Sequence, residues 1–239
     1  MKKIIILLSI CLIALCGCKK NENEIVMVTE AGFAPYEYYE NNEIVGVDVE
    51  IAKEIASALG KKLVIKDVYF DAIINEIKSG KADFALAGMS VNEERKKQVD
   101  FSNTYISSKQ IVIVRNDSDI KNISQINNKK IAVQLGTIAD SYVTDNNITK
   151  DIVRQKKYLS MAEDLKAGKV DLIIMDELPG KKIVENNENL IILDGFVFED
   201  NYAIAVKKGN TQLLNKINEV IDNLKNSGKI DEYILEYSK

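Results

Sequence analysis

The 239-residue chain has no histidine and no tryptophan, only two prolines, and three cysteines that all fall among its first eighteen positions. Without histidine it lacks the usual general base and the usual zinc ligand. With Cys11, Cys16 and Cys18 gathered at one end, the remainder has no disulfide and no thiolate ligand, so its fold must be held by an apolar core. No Cys/His metal spacing, glycine-rich phosphate loop or nucleophile elbow is present, so no metal and no cofactor are expected. The formal charge of −4 leaves nucleic acid a poor partner, since that requires a basic face. Beyond the N-terminal segment no apolar run approaches the roughly 20 residues of a spanning helix.

That N-terminal segment is itself informative. Lys2 and Lys3 precede an apolar run over residues 4–16 that only Ser9 interrupts. The run is too short to span a bilayer and fits the h-region of a secretory signal peptide. It ends in Leu15-Cys16-Gly17-Cys18, followed by Lys19 and Lys20. This resembles a bacterial lipobox. The resemblance implies that residues 1–17 are removed and that Cys18 carries the lipid. Residues 18–24 would then link the protein to a membrane surface outside the cytoplasm, where a triacylated cysteine anchors stably. The alternative is an ordinary cleaved signal peptide in which Cys18 is incidental.

From residue 25 onward, short β-rich runs alternate with amphipathic helical patterns. Strands are expected over residues 25–29, 63–68, 83–87, 111–114, 130–134, 151–155 and 170–175. Helices are expected after an Asp48 cap, over 71–78, from Ser90, over 138–145, over 160–166 and over 211–237. This alternation predicts an α/β class with parallel sheets covered by helices. One echo stands out: residues 70–83 read FDAIINEIKSGKAD and residues 158–171 read YLSMAEDLKAGKVD. Helix–turn–strand units converge on such sequences, but two related lobes would also produce the pair. The constant offset sets Gly88 against Asp176, each just beyond a strand. Ligands of open α/β sheets bind at the carboxyl ends of strands, so two such ends would face across a cleft.

Three features carry possible chemistry. Ser90-Val91-Asn92-Glu93 reads as a capping box with Arg95 in the next turn. Gln134-Leu135-Gly136-Thr137, with Asp140 three residues after Thr137, reads as a second strand end, glycine turn and capping box. Helix N-termini favour a carboxylate, and an arginine fork adds bidentate recognition; plain capped helices fit the same residues. Met175-Asp176-Glu177 closes an apolar run, where Asp176 is either an ammonium partner or a helix cap. The aromatic group Phe33, Tyr36, Tyr38 and Tyr39 around Pro35 is either core or a ligand wall.

Taken in order, residues 32–60, 70–105, 132–137 and 173–177 closely resemble the polar amino-acid-binding proteins of ABC importers (bacterial solute-binding protein family 3). The resemblance runs from Ile25 to the C-terminus. It implies the type II periplasmic-binding-protein fold, two α/β lobes closing on a ligand by hinge motion. Lobe I would comprise residues 25–108 and 203–239, and lobe II residues 109–202, with hinges near 107–109 and 200–202.

By the same resemblance Arg95 binds the ligand carboxylate, with N–H groups of Ser90, Thr137 and Ile138 sharing it. Asp176 pairs with the α-ammonium, completed by the Gly88 carbonyl and the Ser90 hydroxyl. Phe33 and Phe70 are aromatic walls, and Ala87 and Met89 flank Gly88 in the binding segment. Glu30 reaches the far end of the ligand side chain, and Gln134 sets specificity. Ala87 and Gly88 stand where several relatives have two serines, and Ile138 where Thr is frequent. These changes admit a small neutral amino acid beside a cationic or amide one. The expected protein is a monomer, not an enzyme, that hands its amino acid to ABC permease subunits. The alternatives on the same fold are a sensor module and an exported dehydratase-like enzyme.

Overall fold

The computed structural model describes residues 21–239. The signal segment and the lipidation position Cys18 lie outside the described residues. Among the described residues, eleven strands and eight α-helices follow one another. They are β1 (Glu24–Thr29), β2 (Tyr38–Glu40), β3 (Glu43–Val45), α1 (Val47–Ala58), β4 (Lys62–Asp67), α2 (Ile73–Lys78), β5 (Phe84–Ala85), α3 (Glu93–Lys96), β6 (Val99–Arg115), β7 (Ile131–Gln134), α4 (Ile138–Asp145), β8 (Ile152–Gln155), α5 (Tyr158–Lys166), β9 (Leu172–Asp176), α6 (Glu177–Glu185), β10 (Leu190–Ile192), β11 (Phe198–Lys207), α7 (Thr211–Asn226) and α8 (Lys229–Tyr237).

Except for the β2–β3 hairpin, the strands form one sheet in the order β4-β1-β5-β11-β6-β9-β7-β8, with β10 on β6. β1 runs parallel to β4 and β5, and β7 runs parallel to β8 and β9. These are the two parallel cores that the alternating pattern predicts. The long antiparallel pair β6 and β11 joins them. Ser107 pairs with Asn201 and Ser108 with Asp200, so the two presumed hinge segments lie side by side. The result is the two-lobed α/β architecture of the type II binding-protein fold. Apolar faces lock each half: Ile73, Ile77 and Val99 pack with Val28 in the first, and Val133, Val143 and Ile174 pack together in the second.

Four local expectations change. α1 begins at Val47 after Gly46, whose φ of 128° an L-residue rarely adopts. Asp48 therefore does not cap; its carboxylate turns inward and accepts from the Gly88 N–H at 3.0 Å and the Tyr105 hydroxyl at 2.9 Å. The helix expected to open at Ser90 begins at Glu93. Its cap is Asn92, which accepts from the Arg95 N–H at 2.8 Å. Ser90 is drawn away by a bridge to Tyr202 and by its hydroxyl, which donates to Asp200. Glu93 pairs with Lys96 at 2.8 Å instead of closing a box. The C-terminal helix divides at Ser227–Gly228, where Gly228 takes φ 74°.

Candidate ligand site

At the seam between the two halves lies a narrow, closed cavity of about 10 Å³, with room for little more than one water molecule. Gly88 and Asp176, paired by the sequence echo, both line it, and so do Ala87 and Ser90. So do Phe70 and Tyr158, which hold equivalent places in the two copies of the echo.

The first half supplies the aromatic floor. Phe33, fixed after β1, stacks on Tyr158 of α5 with ring centroids 5.0 Å apart. Gly88 makes this approach possible: at φ 51° it has no Cβ, and one would stand 2.5 Å from Phe33 Cε1. Gly88→Ala is therefore expected to push the ring into the cavity or strain the turn, at a cost of about 1–3 kcal/mol. A lower urea midpoint with weaker ligand binding checks this; an unchanged midpoint would show that the wall yields freely.

The second half supplies the start of α4. Thr137 caps that helix, accepting from the Asp140 N–H at 3.4 Å, and Asp140 accepts from the Gly136 N–H at 3.0 Å. The Thr137 cap forms as the sequence predicts, but the box does not close, because Asp140 reaches the Gly136 N–H rather than that of Thr137. Thr137 and Ile138 line the cavity, so the positive end of the helix faces it.

Arg95 sits at the back of this wall. Its Nη1 donates to the Ser90 carbonyl, and its Nη2 donates across the seam to the Gly136 carbonyl at 2.8 Å. The guanidinium lies over the Phe70 ring, 5.3 Å from its centroid. Arg95 opens onto the adjoining space beneath Phe70 and Gly136 rather than onto the central cavity. It is buried, yet no carboxylate among the described residues forms an ion pair with it. Burial lowers its pKa to about 10, so it stays cationic at neutral pH. Two carbonyls use only part of a five-donor fork.

Asp176 ends β9 at the N-cap position of α6 but makes no capping bond. Its Oδ1 accepts from the Ser108 hydroxyl at 3.3 Å and from the Tyr202 hydroxyl. Burial first, and then the neighbouring Asp200 charge, raises its pKa to about 7. The site thus holds a buried cation and a buried carboxyl group, neither neutralised by an ion pair.

At the far end Glu30, 2% exposed, receives the Lys157 ammonium and the Gln134 amide Nε2, the latter at 3.1 Å. Both partners come from the other half. Met89, by contrast, faces the core beside Ile73 and Ile77 and lines only the adjoining space.

Sequence reading missed four participants: Glu37 and Tyr158 on the cavity wall, Asp200 behind it, and Lys157. Burial and the Asp48 charge push the Glu37 carboxyl well above the usual range. Tyr158 was available from the echo, because it matches Phe70. Glu37 belongs to no periodic pattern, and only the bridge between Phe33 and Glu37 brings it inward.

A cavity closed at the seam between two α/β halves, with Asp176 on its wall and Arg95 in the adjoining space, is the arrangement of a protein that encloses a small solute. The family model for bacterial extracellular solute-binding proteins, family 3, matches residues 25–239, and the chain belongs to that family. The chain is 29% identical to the arginine-binding extracellular protein ArtP of Bacillus subtilis over 230 residues, 90% of this chain and 86% of that protein. It is 30% identical to the ABC transporter glutamine-binding protein GlnH of the same organism over 203 residues, 83% of this chain and 74% of that one. Among solved structures, the amino-acid ABC transporter substrate-binding protein AbpA of Streptococcus pneumoniae, bound to L-arginine, superposes with a TM-score of 0.86. It is 34% identical, covering 90% of this chain and 94% of that one. The family is one of solute-binding proteins of ABC transporters, not of enzymes.

Proposed function

We propose that this protein captures a free amino acid between its two lobes and delivers it, from a lipid anchor at Cys18, to an ABC permease. The observation that carries this reading is the buried Arg95, held by two carbonyls without an ion pair, behind a cavity whose wall carries the buried Asp176. An isolated buried charge costs several kcal/mol, and one ligand carrying both an α-carboxylate and an α-ammonium relieves both groups. Arg95 would take the carboxylate with the N-terminus of α4, and Asp176 the ammonium with the Gly88 carbonyl and Ser90 hydroxyl. The lobes we assign are residues 25–108 with 203–239, and residues 109–202.

Arg95 reaches the Gly136 carbonyl and Glu30 reaches Gln134, so contacts already cross the seam in this closed form. A zwitterion touching both lobes binds the closed form better than the open one. It shifts the equilibrium by that difference in affinity, and the closed form is what a permease would recognise. Two of the relatives named bind arginine and one glutamine, which supports an amino acid with a polar side chain. A thermal-shift screen with the twenty amino acids, ornithine and citrulline tests the proposal. At 100 times Kd a ligand adds about 2.7 kcal/mol of stability, so at least one amino acid should raise Tm by several degrees. A flat screen would overturn the assignment.

A further inference from the structure

The far end of the cavity carries its own cation. The Glu30 carboxylate is held by Lys157 and Gln134, both from the opposite half, so an amino-acid side chain arriving there meets a pair that is already neutral. The Gln134 amide is also oriented. Its Nε2 donates to Glu30 Oε2 at 3.1 Å and to the Lys156 carbonyl at 3.0 Å. Both partners are acceptors, so its Oε1 is left as an acceptor, buried and without a partner. An unmet buried acceptor calls for an N–H donor. The Lys157 side chain, 38% exposed, approaches Glu30 from the solvent side and lies 5.5 Å from the Tyr69 ring centroid.

We infer that Lys157 is a specificity-determining residue that makes this site favour a neutral amino acid with a distal N–H donor, an amide or ureido group, over a cationic one. The inference rests on the amino-acid reading above and deepens it. A guanidinium or ammonium side chain needs the Glu30 charge and must displace Lys157 or share one carboxylate with it, placing two cations together. A neutral amide or ureide donates to Gln134 Oε1 and leaves the Glu30–Lys157 pair intact. The same pair links the two lobes across the seam, so it supports closure around a neutral ligand and is broken by a cationic one.

L-Arginine and L-citrulline share a shape and differ in distal charge, so they separate charge from fit; L-glutamine adds a shorter amide. Calorimetric titration of all three into wild type, Lys157→Met and Lys157→Arg is the test. Wild type should bind citrulline or glutamine at least about tenfold tighter than arginine, and Lys157→Met should move that ratio about tenfold toward arginine. Lys157→Arg should keep the wild-type order, which a merely structural role would not demand. A wild type that prefers arginine, or a Lys157→Met ratio within about twofold of wild type, would overturn the inference. Binding of none of the three to wild type would also overturn the inference, whereas the amino-acid reading beneath it falls separately, on a flat thermal-shift screen with all twenty amino acids.

Discussion

Arg95→Ala abolishes amino-acid binding in calorimetry while the far-ultraviolet spectrum and cooperative unfolding persist: this is the largest effect expected. Truncating one partner of a buried, hydrogen-bonded charge pair costs about 2–5 kcal/mol, so Kd should weaken by about two orders of magnitude or more. The fold should tolerate the change. Arg95 lies on a four-residue helix and its side chain bonds only the Ser90 and Gly136 carbonyls. Arg95→Met separates packing from charge, because it keeps apolar volume against Phe70 and loses the fork. Both variants should fail to bind. Near-wild-type affinity in Arg95→Met would show that the guanidinium does not hold the carboxylate.

The second large effect is a proton released on binding. In the free protein Asp176 titrates near 7, raised by burial and by Asp200. A bound α-ammonium favours the ionised carboxylate and lowers that pKa, so ligand and proton compete. Affinity should therefore be flat above about pH 7 and fall by about tenfold per pH unit below it. Free-protein stability should move the other way. Asp176 and Asp48 have folded pKa values of about 7 and about 6, both above the ordinary carboxylate value. Their favourable contribution is complete below the unfolded pKa and is lost as pH rises through the folded values. Tm without ligand should fall between pH 5 and 8, while the ligand-induced rise in Tm grows. Asp176→Asn keeps the shape, removes the titration and should bind weakly at every pH. Calorimetry in buffers of different ionisation enthalpy reads the proton directly; no buffer dependence near pH 6 would contradict the role of Asp176.

How much of this was legible in the sequence varied by element. The strand–helix alternation located the two parallel cores because parallel strands buried on both faces are written as short apolar runs, such as Leu172-Ile173-Ile174. The echo at residues 70–83 and 158–171 also set Gly88 against Asp176, and both line one cavity, where Phe70 and the overlooked Tyr158 join them. Long-range charge partners were not legible. Asp48 looked like a cap because an acid before an apolar helix usually is one; its attachment to Gly88 and Tyr105 depends on residues 40 and 57 positions away. Ser90 looked like a cap for the same local reason, and Asp200, 110 positions on, decided otherwise. Lys157 was invisible as a site residue, since a lysine before a helix is ordinarily solvated, and only folding sets it against Glu30, 127 positions away.

The central claim is that one zwitterion spans Arg95 and Asp176 inside the seam. A crystal structure of the protein with its best-binding amino acid tests it most directly. The α-carboxylate should lie within hydrogen-bond distance of the Arg95 guanidinium at the start of α4, with the α-ammonium on Asp176 and the side chain directed toward Glu30 and Gln134. A ligand seated in the open groove beside Tyr142 and Phe198, or one within the cavity whose ammonium lies away from Asp176, would contradict it.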